Sequence, residues 1–414
     1  MFGMRNVLIQ PYILWICFVF GFASGLPLFL SDVTLKVWYS DAGVDIVTIG
    51  FLSLVGLPYT LKFLWAPLFD RYLAPFAGRR RGWIIIFQIL LVLVLITMAR
   101  LSPRQDPMLL ALLACALAIF SSSLDIVIDA YRTELLPFTL RGMGAAAALG
   151  GYRIGLLFAG GIAVILADQI GWEWTYTLLG LTFIIPTVTA WLAPEPQAPA
   201  AATKTIHAAI KKPIKELYGR PYIGMILIFI ILFKFGDAFA ASLTPTFLLQ
   251  ELKFSLTEVG SATKVFGMLA AIMGIFIGGY MLSRWHLFKV IVTCCVLQAL
   301  ANLQFVMLAI VKHNLLVMYF TIFIENLFVG MGSAAILAFI MSICDQRYTA
   351  SQFAFFSAIA ACARVMCGPL SGYIVVGIGW VNYYSMTVLV ALPAIFAACL
   401  LHRHKIFDPS DKAK

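Results

Sequence analysis

Charge is what this 414-residue sequence has least of. Lys, Arg, Asp and Glu make up 12% of it, about half of the ~25% usual in soluble domains, while 62% of side chains are apolar and the mean hydropathy is +0.97. Such a chain is not a cytosolic enzyme, a secreted disulfide scaffold or a disordered protein. It lacks the strict apolar–polar alternation of barrel strands, so a membrane β-barrel is excluded as well. Its eight cysteines form no CxxC pair and fall in or beside apolar stretches, which implies neither zinc nor a disulfide framework. All five histidines lie in connections or in the tail, so carboxylates must carry any proton traffic through the membrane. No GxxxxGK[ST] occurs, so ATP does not power the chain directly, and no cofactor is expected beyond a proton gradient. The absence of an intramembrane His or HxxxxD-like constellation argues against an enzyme acting on lipid-linked groups.

What is present is a succession of apolar runs, each long enough to cross a bilayer. Twelve are predicted, near 11–31, 45–67, 83–100, 107–130, 142–167, 172–193, 222–248, 258–282, 287–311, 315–343, 352–376 and 380–401. The first resembles a secretory signal behind Arg5, but eleven more follow it, which argues against cleavage. With the N-terminus inside, nineteen basic residues fall on the cytoplasmic side and five on the other, a decisive positive-inside bias. The net charge of +10 therefore reads as membrane orientation and not as nucleic-acid binding. The longest polar connection, with Pro194, Pro196 and Pro199, divides the spans six and six. The expected organisation is a bundle over 1–193, a cytoplasmic linker over 194–221, a second bundle over 222–401 and a tail over 402–414. A shift of 211 residues brings Gly25 onto Gly236, Glu134 onto Asp345 and Arg153 onto Arg364, which reads as a parallel duplication.

Nine charges remain inside the spans: Lys62, Asp125, Asp129, Arg153, Lys234, Asp237, Lys264, Glu325 and Arg364. Each costs ~2.5–3.5 kcal/mol at a helix centre and so belongs against protein or water. Spans three, six, nine and twelve have none, a period of three that fits an outer lipid-facing ring around a polar cavity. Gly151/Gly155, Gly274/Gly278 and Gly368/Gly372 form GxxxG pairs, expected to pack across the interface between the bundles. Asp125, Asp129 and Arg132 share one helical face. Asp125, Asp129 and Glu325 are the candidates for proton coupling, although Asp129 has a plain structural alternative as the partner of Arg132 or Arg153. Arg153, Arg364 and Lys264 are candidates for holding carboxylates of a solute, or alternatively counter-ions to Asp125 or Glu325. Lys234 and Asp237, three apart, are a second candidate binding pair or a self-neutralising one. The loop with Asp70, Arg71, Arg79, Arg80 and Arg81 reads as positive-inside loading or as a cytoplasmic gate that bonds neighbouring helix ends in one conformer only.

The sequence resembles the major facilitator superfamily, with its D-R…G-R-R loop, and is more specifically similar to AmpG-type muropeptide permeases. The likeness runs through GLPYTLKFLWAPLFDRYLAPFAGRRRGW (56–83), DIVIDAYRTELLP (125–137), GWEWTYTLLG (171–180) and the stretch from Glu325 to Gly372, and covers nearly the whole chain. It implies an all-α membrane protein of twelve transmembrane helices in two pseudo-symmetric six-helix bundles, N-in and C-in. It also implies a proton-coupled importer of anhydro-muropeptides in a bacterial inner membrane, expected to be monomeric, with Asp125, Asp129, Arg153, Lys234, Asp237, Lys264, Glu325 and Arg364 in the cavity or its gates. Leu124 stands where a polar Gln commonly precedes the first aspartate, which keeps open another solute such as a siderophore.

Overall fold

A backbone in hydrocarbon has no water to bond, so apolar runs of this length become helices, and the computed structural model is helical throughout its ordered elements. It describes residues 2–44, 48, 52–196, 212, 213 and 215–407. Among these, nine helices are long and apolar enough to cross a membrane. Two match the sequence reading end for end, Leu287–Val311 and Leu315–Ile343. The first is longer than expected: Phe2–Ser31 is followed directly by Val33–Asp41, where Lys36 pairs with Asp32 one turn back. The second expected span is broken. From Leu52 it runs as a 3-10 turn, a short helix Leu57–Leu61, a 3-10 turn Lys62–Leu64 and a short helix Ala66–Arg71, with Pro58 and Pro67 opening the two helical pieces. Proline has no N–H to give to the preceding turn, and the interruption sets Lys62 on a tight turn.

Two pairs of expected spans are separate helices that meet at a glycine corner. Phe138–Leu192 turns at Gly171 (φ 80°, ψ 163°), and Thr349–Arg403 turns at Gly379 (φ 75°, ψ 166°). The positive φ is open to glycine at little cost. Each corner is followed by a tryptophan with the same surroundings. Trp172 donates its indole N–H to Asp41 (2.7 Å) and stacks on Trp38, with Tyr176 beside it. Trp380 donates to Glu251 (3.1 Å) and packs against Phe247 and Tyr384. The corresponding residues lie 208 to 210 positions apart in the sequence, so this clasp occurs once in each half.

By contacts the chain forms two compact units, Met1–Pro137 with Ala147–Lys215 and Cys344–Ala354, and Phe138–Ala146 with Glu216–Ile343 and Phe355–Lys414. The glycine pairs pack inside these units, which corrects the expectation that they join the two bundles. A Cβ on Gly151 would lie 1.9 Å from the Phe18 carbonyl oxygen, and one on Gly21 2.0 Å from that of Ala148, all in the first unit. In the second, a Cβ on Gly274 would lie 1.9 Å from the Leu327 oxygen. The reason is local: each glycine lets a neighbouring backbone within the same unit approach to contact distance. Gly368 and Gly372 lie outside the described contacts. The charge-free spans present large apolar side chains outward, among them Leu93, Val188, Leu303 and Phe396, a surface suited to lipid.

Candidate functional site

In the first unit, helix Pro107–Leu135 carries Asp125 and Asp129 on one face, as the i, i+4 spacing requires. The turn Lys62–Leu64 brings Lys62 against both: its ammonium lies 3.6 Å from Asp125 and 4.0 Å from Asp129. Ser24 Oγ donates a hydrogen bond to Asp125, and Arg132 donates to Asp129 at 2.6 Å. The Arg132 guanidinium also sits over the Phe353 ring (5.7 Å). Asp125 is buried to 9% exposure. The result is two carboxylates served by two cations, with different attachments. Asp129 has a firm intrahelical partner, whereas Asp125 faces a flexible lysine and a hydroxyl. An ammonium on a four-carbon stem is the easier of the two cations to displace.

The other predicted residues are spread more widely. Glu325 is buried in helix Leu315–Ile343 and engaged with neighbours. Arg153 is half-buried in helix Arg141–Leu157, and Lys234 is half-buried in helix Ile223–Thr246; both are engaged with neighbours. Lys264 is exposed on the wide turn Ser261–Phe266 and makes no ion pair among the described residues. The side chains of Asp237 and Arg364 lie outside the described residues.

The arginine loop is the best-defined constellation. Arg80 is fully buried and donates to Asp70 (2.8 Å), to Glu134 (2.5 Å), to the Phe69 carbonyl (2.8 Å) and to Thr349 Oγ1 (2.9 Å). Arg79 donates to Glu134 from the other side (2.7 Å). Asp70 accepts the backbone N–H groups of Ala350 (3.1 Å) and Ser351 (2.9 Å) and the Ser351 hydroxyl (2.6 Å). Those amides open helix Thr349–Arg403, whose first N–H groups have no partner inside the helix, so a carboxylate there satisfies donors and the helix dipole together. Burial alone would lower the Arg80 pKa, but Glu134 and Asp70 hold it above the ordinary arginine value. Burial and the adjacent Arg80 charge push Arg79 below that value. Arg81 turns elsewhere, to the carbonyls of Ala77 (3.0 Å) and Ala193 and to Glu195 (3.5 Å). Arg71 lies over the Tyr72 ring (4.8 Å). Sequence reasoning missed Glu134, Glu195, Thr349 and Ser351 as members of this cluster. The match of Glu134 to Asp345 was a signal for the first of them, but Asp345 bonds Arg347 (2.8 Å).

Comparison with known proteins adds four findings. A family model for the Major Facilitator Superfamily matches residues 13–350 and 231–414. The anhydromuropeptide permease of Escherichia coli K12 is 42% identical over 381 residues, covering 92% of this chain and 78% of that protein. A putative transporter AmpG 4 of Rickettsia felis is 30% identical over 405 residues, 95% of this chain and 97% of the other. Among solved structures, the E. coli fucose:proton symporter FucP matches with a TM-score of 0.69 at 14% identity, over 94% of this chain and 98% of that one, a likeness of fold alone.

Proposed function

The chain belongs to the Major Facilitator Superfamily and to its AmpG-type permeases, and on that premise we propose that it imports GlcNAc-anhydroMurNAc-peptides for cell-wall recycling, coupled to protons. The observation that carries the reading is the Lys62–Asp125–Asp129 cluster, with Asp125 buried and its two neighbours half-buried, in a chain 42% identical to an anhydromuropeptide permease. The same likeness favours the glycopeptide over the siderophore that Leu124 left open. The protein is a multi-pass membrane protein, and its place is the bacterial inner membrane, with twelve spans and both termini inside, as nineteen basic residues against five support. Bundles over 1–193 and 222–401, joined by the 194–221 linker, alternate between outward- and inward-open forms as a monomer.

Asp125 or Glu325 exchanges the proton, with Asp129 as the remaining candidate. Arg153 and Arg364 hold peptide carboxylates, whose planar geometry a guanidinium matches, and Lys234, Asp237 and Lys264 complete the binding region. Asp70, Arg71, Arg79, Arg80 and Arg81 gate the cytoplasmic end: the carboxylate that caps Thr349–Arg403 in one conformer releases it in the other. One proton entering down ~150 mV provides roughly 3.5 kcal/mol, enough for several-hundred-fold accumulation before any pH gradient is added.

The test is uptake of labelled anhydro-muropeptide into membrane vesicles. Replacing whichever of the two exchanges the proton, by Asp125→Asn or Glu325→Gln, is expected to abolish gradient-driven accumulation. A double variant, Asp125→Asn with Glu325→Gln, whose uptake still collapses with an uncoupler removes both residues from the proton role. An unchanged apparent affinity after Arg153→Gln and Arg364→Gln together removes the carboxylate clamp.

A further inference from the structure

Helices Gly267–Arg284 and Leu287–Val311 are joined by only two residues, Trp285 and His286. At this corner an open depression of about 470 Å³ is lined by Trp285, Phe288, Lys289, Val292 and Thr293. The five recur at helical spacing, so the depression continues one face of the second helix. Farther along that face, Val296, Leu300, Leu303, Met307 and Ile310 are all exposed. A polar head end and an apolar stripe about four turns long are thus continuous on a single helix.

Among the described residues, the charged side chains on the segments that meet at the head end are basic. His402 stacks on Phe288 (ring centroids 4.0 Å apart, 9° between planes), which brings the end of the last helix, with Arg403 and Lys405, to the same corner. Arg284, Lys289, Arg403 and Lys405 are exposed, and none forms an ion pair among the described residues. No Asp or Glu occurs in the sequence between Glu258 and Glu325 or between Asp345 and Asp408. The first half is different at its corresponding turn, where Asp70 and Glu134 neutralise the arginines. Trp285, half exposed where one span ends and the next begins, has the position of an interfacial anchor.

We propose that this corner binds one anionic phospholipid, its phosphate on Lys289 and Arg284 beside Trp285 and one acyl chain along the Val296–Ile310 stripe. A free anion has no use for the stripe, and a zwitterionic lipid brings its own cation to a site already rich in cations. The proposal is independent of which solute the protein carries.

Native mass spectrometry of the full chain in detergent, titrated with phosphatidylglycerol or phosphatidylcholine, tests it. One phosphatidylglycerol is expected to bind at least tenfold tighter than phosphatidylcholine. A juxtamembrane cation contributes about 1 kcal/mol and 1.4 kcal/mol is tenfold. Lys289→Gln should therefore weaken that binding about fivefold, and Arg284→Gln with Lys289→Gln about thirtyfold. Lys312→Gln, at the far end of the same helix, should leave it unchanged. Phosphatidylglycerol brominated on its chains should quench part of the tryptophan emission, and Trp285→Phe should remove that part, a readout that needs no charge change. Equal binding of the two lipids, equal losses from Lys289→Gln and Lys312→Gln, displacement by millimolar inorganic phosphate, or quenching indifferent to Trp285→Phe would each overturn the proposal.

Discussion

The Arg80 guanidinium has no water to fall back on: it is wholly buried and spends its donors on two carboxylates, a carbonyl and a hydroxyl. Removing one member of such a set leaves a buried charge unpaired, at about 3–5 kcal/mol. Arg80→Ala or Glu134→Ala should therefore lower the thermal midpoint, read from tryptophan emission, far more than Arg81→Ala, whose partners are three carbonyls and a half-exposed Glu195. Asp129→Asn should reduce uptake yet keep its sensitivity to an uncoupler, because Asp129 is committed to Arg132 at 2.6 Å while Asp125 is held by a lysine and a serine. The sequence made Asp70 and the arginines visible as a group but could not rank them. Three consecutive arginines read alike until folding sends each to a different partner, and Thr349 and Ser351 are 269 and 281 residues from the groups they meet. The Asp125–Asp129 pairing was legible because both sit on one helix, whereas Lys62 was not, since its reach depends on a broken span.

Helices came through to the reader where their boundaries are charges or turns, as at Leu287–Val311. The breaks within the second expected span were not legible because hydropathy averages over Pro58 and Pro67, whose missing N–H groups interrupt the run without changing its apolarity. Glycine contacts were half legible: the spacing announced close packing but not the partner. With a Cβ placed 1.9 Å from a carbonyl oxygen, Gly151→Val and Gly274→Val should each abolish folded protein, as judged by a monodisperse peak in detergent. Gly224→Ala, where nothing lies within 4 Å, should leave that peak intact. The two clasps give a matched pair of tests. Trp172→Phe and Trp380→Phe keep a ring but lose one hydrogen bond each, so each should cost about 1 kcal/mol, and the double variant should cost their sum in thermal unfolding, because the sites are independent.

Across the whole molecule the clasp is repeated and the arginine cluster is not. Asp70 and Arg80 come from the first half of the sequence, yet they hold Thr349, Ala350 and Ser351, and the stretch Cys344–Ala354 belongs to the first unit. Two separately expressed fragments divided within the 194–221 linker should therefore co-purify, and Asp70→Ala with Arg80→Ala should weaken their recovery as a pair. The same contact has a meaning for biosynthesis. Asp70 leaves the ribosome 280 residues ahead of the Ala350 amide that it caps, which at 5–20 residues per second is roughly 15 to 55 s. Throughout that interval the nascent chain carries a carboxylate without its helix end, and an arginine without its threonine. Any product truncated before Thr349 stays in that state for good, so a membrane protease that recognises exposed polar groups has a ready mark of incompleteness.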